Sequence, residues 1–179
     1  MKYCSNCGSS KLEFIIPEGD HLKRYCCSEC GNIFYTNPNI IVWALCIRDG
    51  KILMAKRNIH PRKGLWTLPA GFMENAETLE AGALRETMEE TGSEAKAIMP
   101  YTMFSLPHIN QVHLFYLADL LDENFGPTSE SMEVKLFSKE DILCDELAFP
   151  TVERTLKYYI EDSKTNEFIF REEDITLWK

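Results

Sequence analysis

Apolar residues occur in this chain as short runs whose spacing predicts several strands before the first helix. Residues 40–48 are almost continuously apolar, which is typical of a strand buried on both faces. Asp49-Gly50 follows, a dipeptide that favours a tight hairpin turn, so residues 51–57 are predicted to pair with that strand. Residues 66–71 predict a further short strand that leads into a turn.

A helix is predicted from about Thr78 to Thr91. Gly92 stands at its end, where a left-handed backbone residue commonly closes a helix. Thr78 or Asn75 can cap the beginning, since either side chain offers an oxygen to the first free backbone N–H groups. This helix carries most of the charged residues considered below.

The second half of the chain predicts three more strands, at residues 94–104, 111–120 and 132–138. A second helix is predicted within residues 145–162, beginning near Pro150, because apolar residues recur there on one helical face. Residues 167–171 predict a last strand.

The composition fits one globular domain with a small module before it. Hydrophobic residues make up 45% of the 179 residues, and no apolar run reaches membrane-spanning length. The first residues lack the apolar core of a signal peptide, so we expect a cytoplasmic protein without a membrane partner. A net charge of −9 argues against a nucleic-acid partner, because binding through phosphates requires a basic surface. A phosphate-bearing substrate is still compatible if a metal supplies positive charge.

Residues 1–36 contain two matching Cys-x-x-Cys-Gly segments, 19 residues apart. This spacing indicates a tetrahedral structural zinc site. Its predicted ligands are Cys4, Cys7, Cys27 and Cys30. Cys26 is left out because only Cys27 reproduces the repeated pattern. We therefore predict a zinc ribbon over residues 1–36 and a second domain over residues 37–179.

Three glutamates crowd one face of the first predicted helix. At about 100° per residue, Glu86, Glu89 and Glu90 fall within an arc of about 100°. Like charges at these spacings cost a few tenths of a kcal/mol on an isolated helix. Hard divalent cations take carboxylate oxygens as ligands, so the pattern indicates a cation site.

A fixed set of glycines and charged residues surrounds these glutamates: Gly71, Glu77, Arg85, Glu86, Glu89, Glu90 and Gly92. Their spacing resembles the signature of the Nudix hydrolase family. Thr87 and Ser93 depart from it, since both stand where the family has aliphatic packing residues. The resemblance covers about residues 38–162. It implies an α/β/α sandwich around a mixed sheet, which agrees with the predicted elements.

The resemblance also implies an activity, the cleavage of nucleoside diphosphates linked to another moiety, with Mg²⁺ or Mn²⁺ as cofactor. It implies Glu86 and Glu90 as direct metal ligands, and Glu89 as a ligand either directly or through water. The carbonyl of Ala70 or Gly71 would add a backbone oxygen. Divalent cations suit this chemistry because they neutralise phosphate oxygens and acidify a bound water.

Other charged residues have supporting roles in this interpretation. Arg85 would orient a carboxylate through a charge-assisted hydrogen bond, and Glu77 would fix the loop. A carboxylate from the second half of the chain would complete the site as a metal ligand or base. Glu130 and Glu133, just before a predicted strand, are the two candidates.

The zinc ribbon narrows the choice of substrate, because a four-cysteine ribbon before a Nudix domain resembles two groups of the family. NADH pyrophosphatases carry a Ser-Gln-Pro-Trp-Pro-Phe-Pro stretch that residues 104–112 lack. Residues 16–20, 37–38 and 129–133 look more like ribbon-bearing ADP-ribose/FAD pyrophosphatases. We therefore expect FAD or ADP-ribose as substrate and AMP as product. NADH pyrophosphatase activity is one alternative, and a non-catalytic nucleotide-sensing regulator is another.

Three polar residues are candidate contacts for the dinucleotide: Arg57, His108 and Gln111. Trp66 and Phe72 are predicted to be core residues and not platforms for a base. The resemblance to the Nudix family also implies a homodimer.

Overall fold

The computed structural model describes residues 1–176, which form two compact units. The first unit, Met1–Asn37, contains a small antiparallel sheet in the order β1-β2-β3. Its strands are β1 (Leu12–Ile15), β2 (Arg24–Cys27) and β3 (Ile33–Phe34). The unit is too small for a substantial apolar core, which is typical of folds stabilised by a metal.

The second unit begins at Pro38 and is built on an eight-stranded mixed sheet. Its strands are β4 (Asn39–Arg48), β5 (Lys51–Arg57), β6 (Trp66–Thr67), β7 (Ala70–Phe72), β8 (Ala95–Leu106), β9 (Gln111–Leu120), β10 (Ser131–Phe137) and β11 (Arg171–Asp174). The main order is β10-β5-β4-β9-β8-β11, with β6 beside β5 and β7 beside β4. The β4/β9 and β8/β11 pairs are parallel and the others are antiparallel.

Two helices cover the sheet, α1 (Leu79–Thr91) and α2 (Pro150–Thr165). Neighbouring residues of a strand point to opposite faces, so β4 contributes to two apolar clusters. Val42 packs in the cluster that includes Ala83 of α1, and Trp43 packs in the cluster that includes Val152 and Leu156 of α2. The predicted α/β/α sandwich is confirmed. In the described part of the chain, no helix is long and apolar enough to cross a membrane.

The predicted ends of helix α1 agree with the structure. The Thr78 hydroxyl accepts from the Ala81 N–H at 3.1 Å, so Thr78 and not Asn75 is the N-terminal cap. Gly92 closes the helix with φ of 78°. A stop at this residue fixes which turn of the helix carries the glutamates.

Two predicted strands differ from the structure. The strand predicted at residues 66–71 is two short strands, β6 and β7, which pair with different neighbours. Pro69 lies between them and has no N–H to continue a ladder.

The last strand, predicted at residues 167–171, lies instead at Arg171–Asp174. Phe168 stacks on Tyr159, with ring centroids 5.7 Å apart. Arg171 binds the buried carboxylate of Asp162 through two hydrogen bonds of 2.5 and 2.7 Å. These tertiary contacts move the start of β11 towards the C-terminus.

Candidate active site

A cavity of about 870 Å³ opens in the second unit between helix α1 and the ends of several strands. This volume is typical of sites for small molecules and cofactors. One wall is acidic and comes from α1 with its preceding turn. Another part of the lining, called the apolar wall here, is largely apolar and aromatic and includes Ile41, Trp43 and Phe149.

The acidic wall contains the three glutamates of α1, Glu86, Glu89 and Glu90. They differ in burial, since Glu89 is exposed and Glu90 is only 5% exposed. The Ala70 N–H donates to Glu90 Oε2 at 3.2 Å. Burial nevertheless raises the pKa of Glu90 to about 8, and it also raises the pKa of Glu86. Charge on these carboxylates is therefore costly unless a cation lies beside them.

Arg85 holds the acidic wall in place. Its Nε and Nη2 donate to the two oxygens of Glu77 at 3.0 and 2.9 Å. Its Nη1 donates to Glu86 Oε1 at 2.7 Å and to Glu89 Oε2 at 3.1 Å. The Glu74 N–H also donates to Glu77, and these donors lower the pKa of Glu77 to about 2. Arg85 thus connects the turn before α1 to two of the three glutamates.

Two glycines give these carboxylates their space. A Cβ on Gly71 would overlap the oxygens of Glu86. A Cβ on Gly82 would lie 2.6 Å from Glu77 Oε1 and 3.0 Å from Val42 Cγ2. Gly71 belongs to the motif identified in the sequence, but Gly82 does not. Its only sequence signal is a glycine inside a helix, where glycine is usually unfavourable.

The acidic wall has suitable donors for a divalent cation. Its oxygens are hard ligands, two of its carboxylates are buried or half-buried, and the Gly71 backbone approaches Glu86 closely. Within residues 1–176, these carboxylate oxygens do not converge as tightly as the cysteine sulfurs of the first unit. Arg85 binds Glu86 and Glu89, while the Ala70 N–H binds Glu90, so different donors hold Glu90 and the other two carboxylates.

The structure separates the two candidates from the second half of the chain. Glu130 lines the cavity, and its charge helps to raise the pKa of Glu90. Glu133 is not part of the cavity lining and forms an ion pair with Lys135. A register shift between Ser131 and Glu133 accompanies this difference. Glu130 is therefore the one that lies with the helix glutamates.

The three candidate substrate contacts, Arg57, His108 and Gln111, all line the cavity. The guanidinium of Arg57 lies 5.1 Å from the centre of the Phe149 ring, and its Nε donates to the Pro61 carbonyl at 2.9 Å. Burial lowers the pKa of Arg57, while Glu90 opposes that shift.

Sequence reasoning missed several residues of the apolar wall. Trp43, His113 and Phe149 line the cavity without having been predicted there. His113 was detectable, because it follows Gln111 by two residues on β9 and so faces the same side of the sheet. Trp66 is buried as predicted, but the prediction for Phe72 was wrong. Phe72 is 56% exposed and lines the cavity, since β7 ends there at the sheet edge.

In the first unit, the sulfurs of Cys4, Cys7, Cys27 and Cys30 lie within 4.8 Å of one another. The Cys4–Cys30 and Cys7–Cys27 distances are 3.7 and 3.6 Å. A tetrahedron with Zn–S bonds of about 2.3 Å has sulfurs about 3.8 Å apart, so these residues fit zinc. Cys26 lies outside the group, with its sulfur 3.7 Å from the Arg24 carbonyl.

The family model of the NUDIX domain matches residues 36–159. The chain belongs to the Nudix hydrolase family. It is therefore an enzyme, a hydrolase of phosphorus-containing anhydrides. A second family model, the Nudix N-terminal zinc ribbon, matches residues 2–36.

Similar proteins support this membership. An ADP-ribose pyrophosphatase from Methanocaldococcus jannaschii is 30% identical over 132 residues, covering 70% of this chain and 75% of the relative. A NAD-capped RNA hydrolase NudC from Photobacterium profundum is 28% identical over 141 residues, 78% of this chain and 50% of the relative. The chain thus spans about half the length of that NudC protein. The crystal structure of a NUDIX hydrolase from Nitrosomonas europaea has a TM-score of 0.96 at 44% identity, covering 99% of this chain and 100% of the other.

Proposed function

We propose that this Nudix hydrolase cleaves the diphosphate of ADP-ribose or FAD and releases AMP. The observation that carries the proposal is the presence of an acidic wall and an apolar, aromatic wall in one cavity of about 870 Å³. The acidic wall suits a diphosphate with its cations, and the aromatic wall suits a base. The resemblance to an archaeal ADP-ribose pyrophosphatase favours ADP-ribose over FAD.

In this proposal Glu86, Glu89 and Glu90 hold Mg²⁺ or Mn²⁺, together with the carbonyl of Ala70 or Gly71. A bound divalent cation supplies charge neutralisation at the phosphate oxygens and acidifies a water. Arg85 keeps Glu86 and Glu89 in position through its hydrogen bonds to both.

Two residues outside α1 complete the proposed site. Glu130 accepts the proton of the attacking water, because it is the carboxylate of the second half that reaches the cavity. Arg57 lies near Glu90 and Glu130, and its positively charged guanidinium attracts the diphosphate of the substrate. Water adds to one phosphorus, the bridging P–O bond breaks, and AMP leaves with the other phosphorylated product.

A nicotinamide dinucleotide is the second candidate substrate. The NudC relatives, which are named NAD-capped RNA hydrolases, favour it. The RNA part of such a substrate is disfavoured by the net charge of −9, because an acidic surface repels the phosphate backbone.

The test is a panel of ADP-ribose, FAD and NADH at fixed Mg²⁺, with identification of the products. We expect AMP from ADP-ribose at the highest kcat/KM. A Glu89→Gln variant should lose about 100-fold or more in kcat, the scale of a catalytic carboxylate. Glu80→Gln, on the exposed first turn of the same helix, is the matched control and should keep full activity.

Release of AMP from none of these compounds would overturn the proposed function. Binding of a dinucleotide by calorimetry without turnover would support the sensing regulator instead. A fully active Glu89→Gln enzyme would remove the role assigned to that residue.

A further inference from the structure

A polar cluster lies within the apolar wall of the cavity. Gln111 and His113 are two apart on β9 and face the same side of the sheet, beside Trp43 of β4. The first turn of α2 brings Thr151 against His113, and both residues are buried. Three elements therefore converge on one histidine.

His113 forms a hydrogen bond at each ring nitrogen. Its Nδ1 lies 3.3 Å from Thr151 Oγ1, and its Nε2 lies 3.0 Å from Gln111 Oε1. Burial lowers the pKa of His113 to about 4, so the ring is neutral at pH 7 and has one donor and one acceptor. An amide oxygen only accepts, so Nε2 carries the hydrogen. Nδ1 then accepts from the hydroxyl of Thr151.

The Gln111 amide binds the His113 ring through its oxygen. With its oxygen bound to His113, the amide presents its NH₂ group as the side that is free to bind a ligand. Within residues 1–176, this nitrogen has no protein acceptor. Gln111 is therefore a hydrogen-bond donor in the cavity.

A second donor lies in the same wall. Trp43 is only 4% exposed, and its indole N–H has no acceptor among the described residues. A buried donor without an acceptor costs about 1–3 kcal/mol. This N–H is itself buried, so the donor of the pair that a ligand in the cavity can reach is the Gln111 amide.

The surrounding side chains favour a flat ligand. Phe72 and Phe149 both line the cavity, and the Phe72 ring is 56% exposed there. Aromatic surfaces of this kind stack against planar rings. Flat apolar surface combined with hydrogen-bond donors matches a heterocyclic base with ring nitrogen or carbonyl acceptors.

We propose that Gln111 determines which base the enzyme accepts, by donating its amide N–H to an acceptor atom of a planar heterocycle. His113 and Thr151 are positioning residues that hold the Gln111 amide in this orientation. The inference rests on the proposed function and adds to it how the base is recognised.

The experiment measures kcat and KM for adenosine, inosine, guanosine and uridine diphosphate ribose, which differ only in the base. It compares the wild type with two variants. Gln111→Glu keeps the shape of the side chain but replaces the amide donor with an acceptor. Thr151→Val removes the hydroxyl group that is hydrogen-bonded to His113. Thr155→Val is the matched control. Thr155 is equally buried one turn further along α2, and its hydroxyl bonds Thr102 instead of His113. Thermal unfolding of each variant checks the fold.

For Gln111→Glu we expect a loss of about tenfold or more in kcat/KM on the preferred base, mainly through KM, and a changed ranking of the four bases. Thr151→Val should reduce base discrimination at least about threefold with kcat little changed, because Gln111 is then free to turn. Thr155→Val should keep the wild-type ranking.

An unchanged ranking in Gln111→Glu would overturn the inference while leaving the proposed function intact. Equal effects of Thr151→Val and Thr155→Val would overturn the positioning roles. Hydrolysis of none of the four compounds by the wild type would overturn this inference, and the proposed function falls with it if FAD is not hydrolysed either.

Discussion

At the scale of single residues, the acidic wall depends on space as much as on charge. Glu86 reaches its position because Gly71 has no side chain there. Arg85 then holds Glu86 and Glu89 by hydrogen bonds from one guanidinium. The charged residues of the motif are therefore effective only with the glycine that faces them.

Gly71→Ala should displace the Glu86 carboxylate, because the added methyl group would occupy its place. A displacement of about 1 Å at a catalytic group can cost about 100-fold in rate, so we expect kcat/KM to fall by about that factor. Gly126→Ala is the control, since a Cβ there meets nothing within 4 Å. Equal activity of the two variants in steady-state assays would contradict the packing role of Gly71.

His113 should make stability depend on pH. Its pKa is about 4 in the folded protein, below the ordinary histidine value of 6.5, so the unfolded chain binds the proton more readily. The contribution of the neutral His113 ring to the unfolding free energy is complete above pH 6.5. It is lost as the pH falls towards 4, and the loss amounts to up to about 3 kcal/mol. We expect His113→Gln to show a weaker loss of unfolding free energy between pH 7 and 4 in urea titrations.

The control for this measurement is His21→Gln, because His21 is an exposed histidine of the first unit. The unfolding free energy of the His21→Gln variant should depend on pH in the same way as that of the wild type. If the His113→Gln profile also runs parallel to the wild type, burial of the neutral ring contributes nothing measurable.

At the scale of elements, α2 connects the core to the last strand. Asp162 near its end accepts from the Tyr101 hydroxyl of β8 at 2.7 Å and from Arg171 of β11. The beginning of the same helix brings Thr151 to His113, which lines the cavity. Helix α2 therefore contacts the edge strand β11 near one end and the histidine of the apolar wall at the other.

Asp162→Ala should destabilise the fold by about 3–5 kcal/mol, because it leaves Arg171 without its buried partner. Glu161→Ala on the same helix removes an exposed ion pair with Lys164 and should cost at most about 1 kcal/mol. Chemical denaturation of both variants measures the difference. Similar values for the two would show that the Asp162 network is not a major source of stability.

At the scale of the whole molecule, two units carry two kinds of metal ligand. The first offers four sulfurs in tetrahedral spacing, and the second offers carboxylate oxygens in a cavity. Sulfur ligands close the coordination of a structural zinc, while oxygen ligands suit a cation that exchanges water and substrate. The proposed structural and catalytic metals are therefore separated by ligand chemistry.

Elemental analysis should find one zinc per chain in the wild type and in Cys26→Ser. Cys27→Ser should lose zinc, because three sulfurs remain in the group, and the first unit should become sensitive to protease. Loss of zinc from Cys26→Ser and retention in Cys27→Ser would reverse the assignment of the ligands.

The family, the α/β class, the end of α1 at Gly92 and the acidic helix face could all be predicted from the amino-acid sequence alone. These features follow from local spacing, since a helix places residues three and four apart on one side and a glycine can end it. The two Cys-x-x-Cys pairs were readable for the same reason. The spacing of residues within a short segment does not depend on how the rest of the chain folds.

Tertiary structure alone decided the features that depend on distant segments. It selected Glu130 over Glu133 for the cavity, placed Phe72 at an exposed edge, and moved the last strand to Arg171–Asp174. It also brought Thr151 to His113 across 38 positions of sequence. Such contacts are set by strand register and helix packing, which join residues whose spacing along the chain carries no periodic signal.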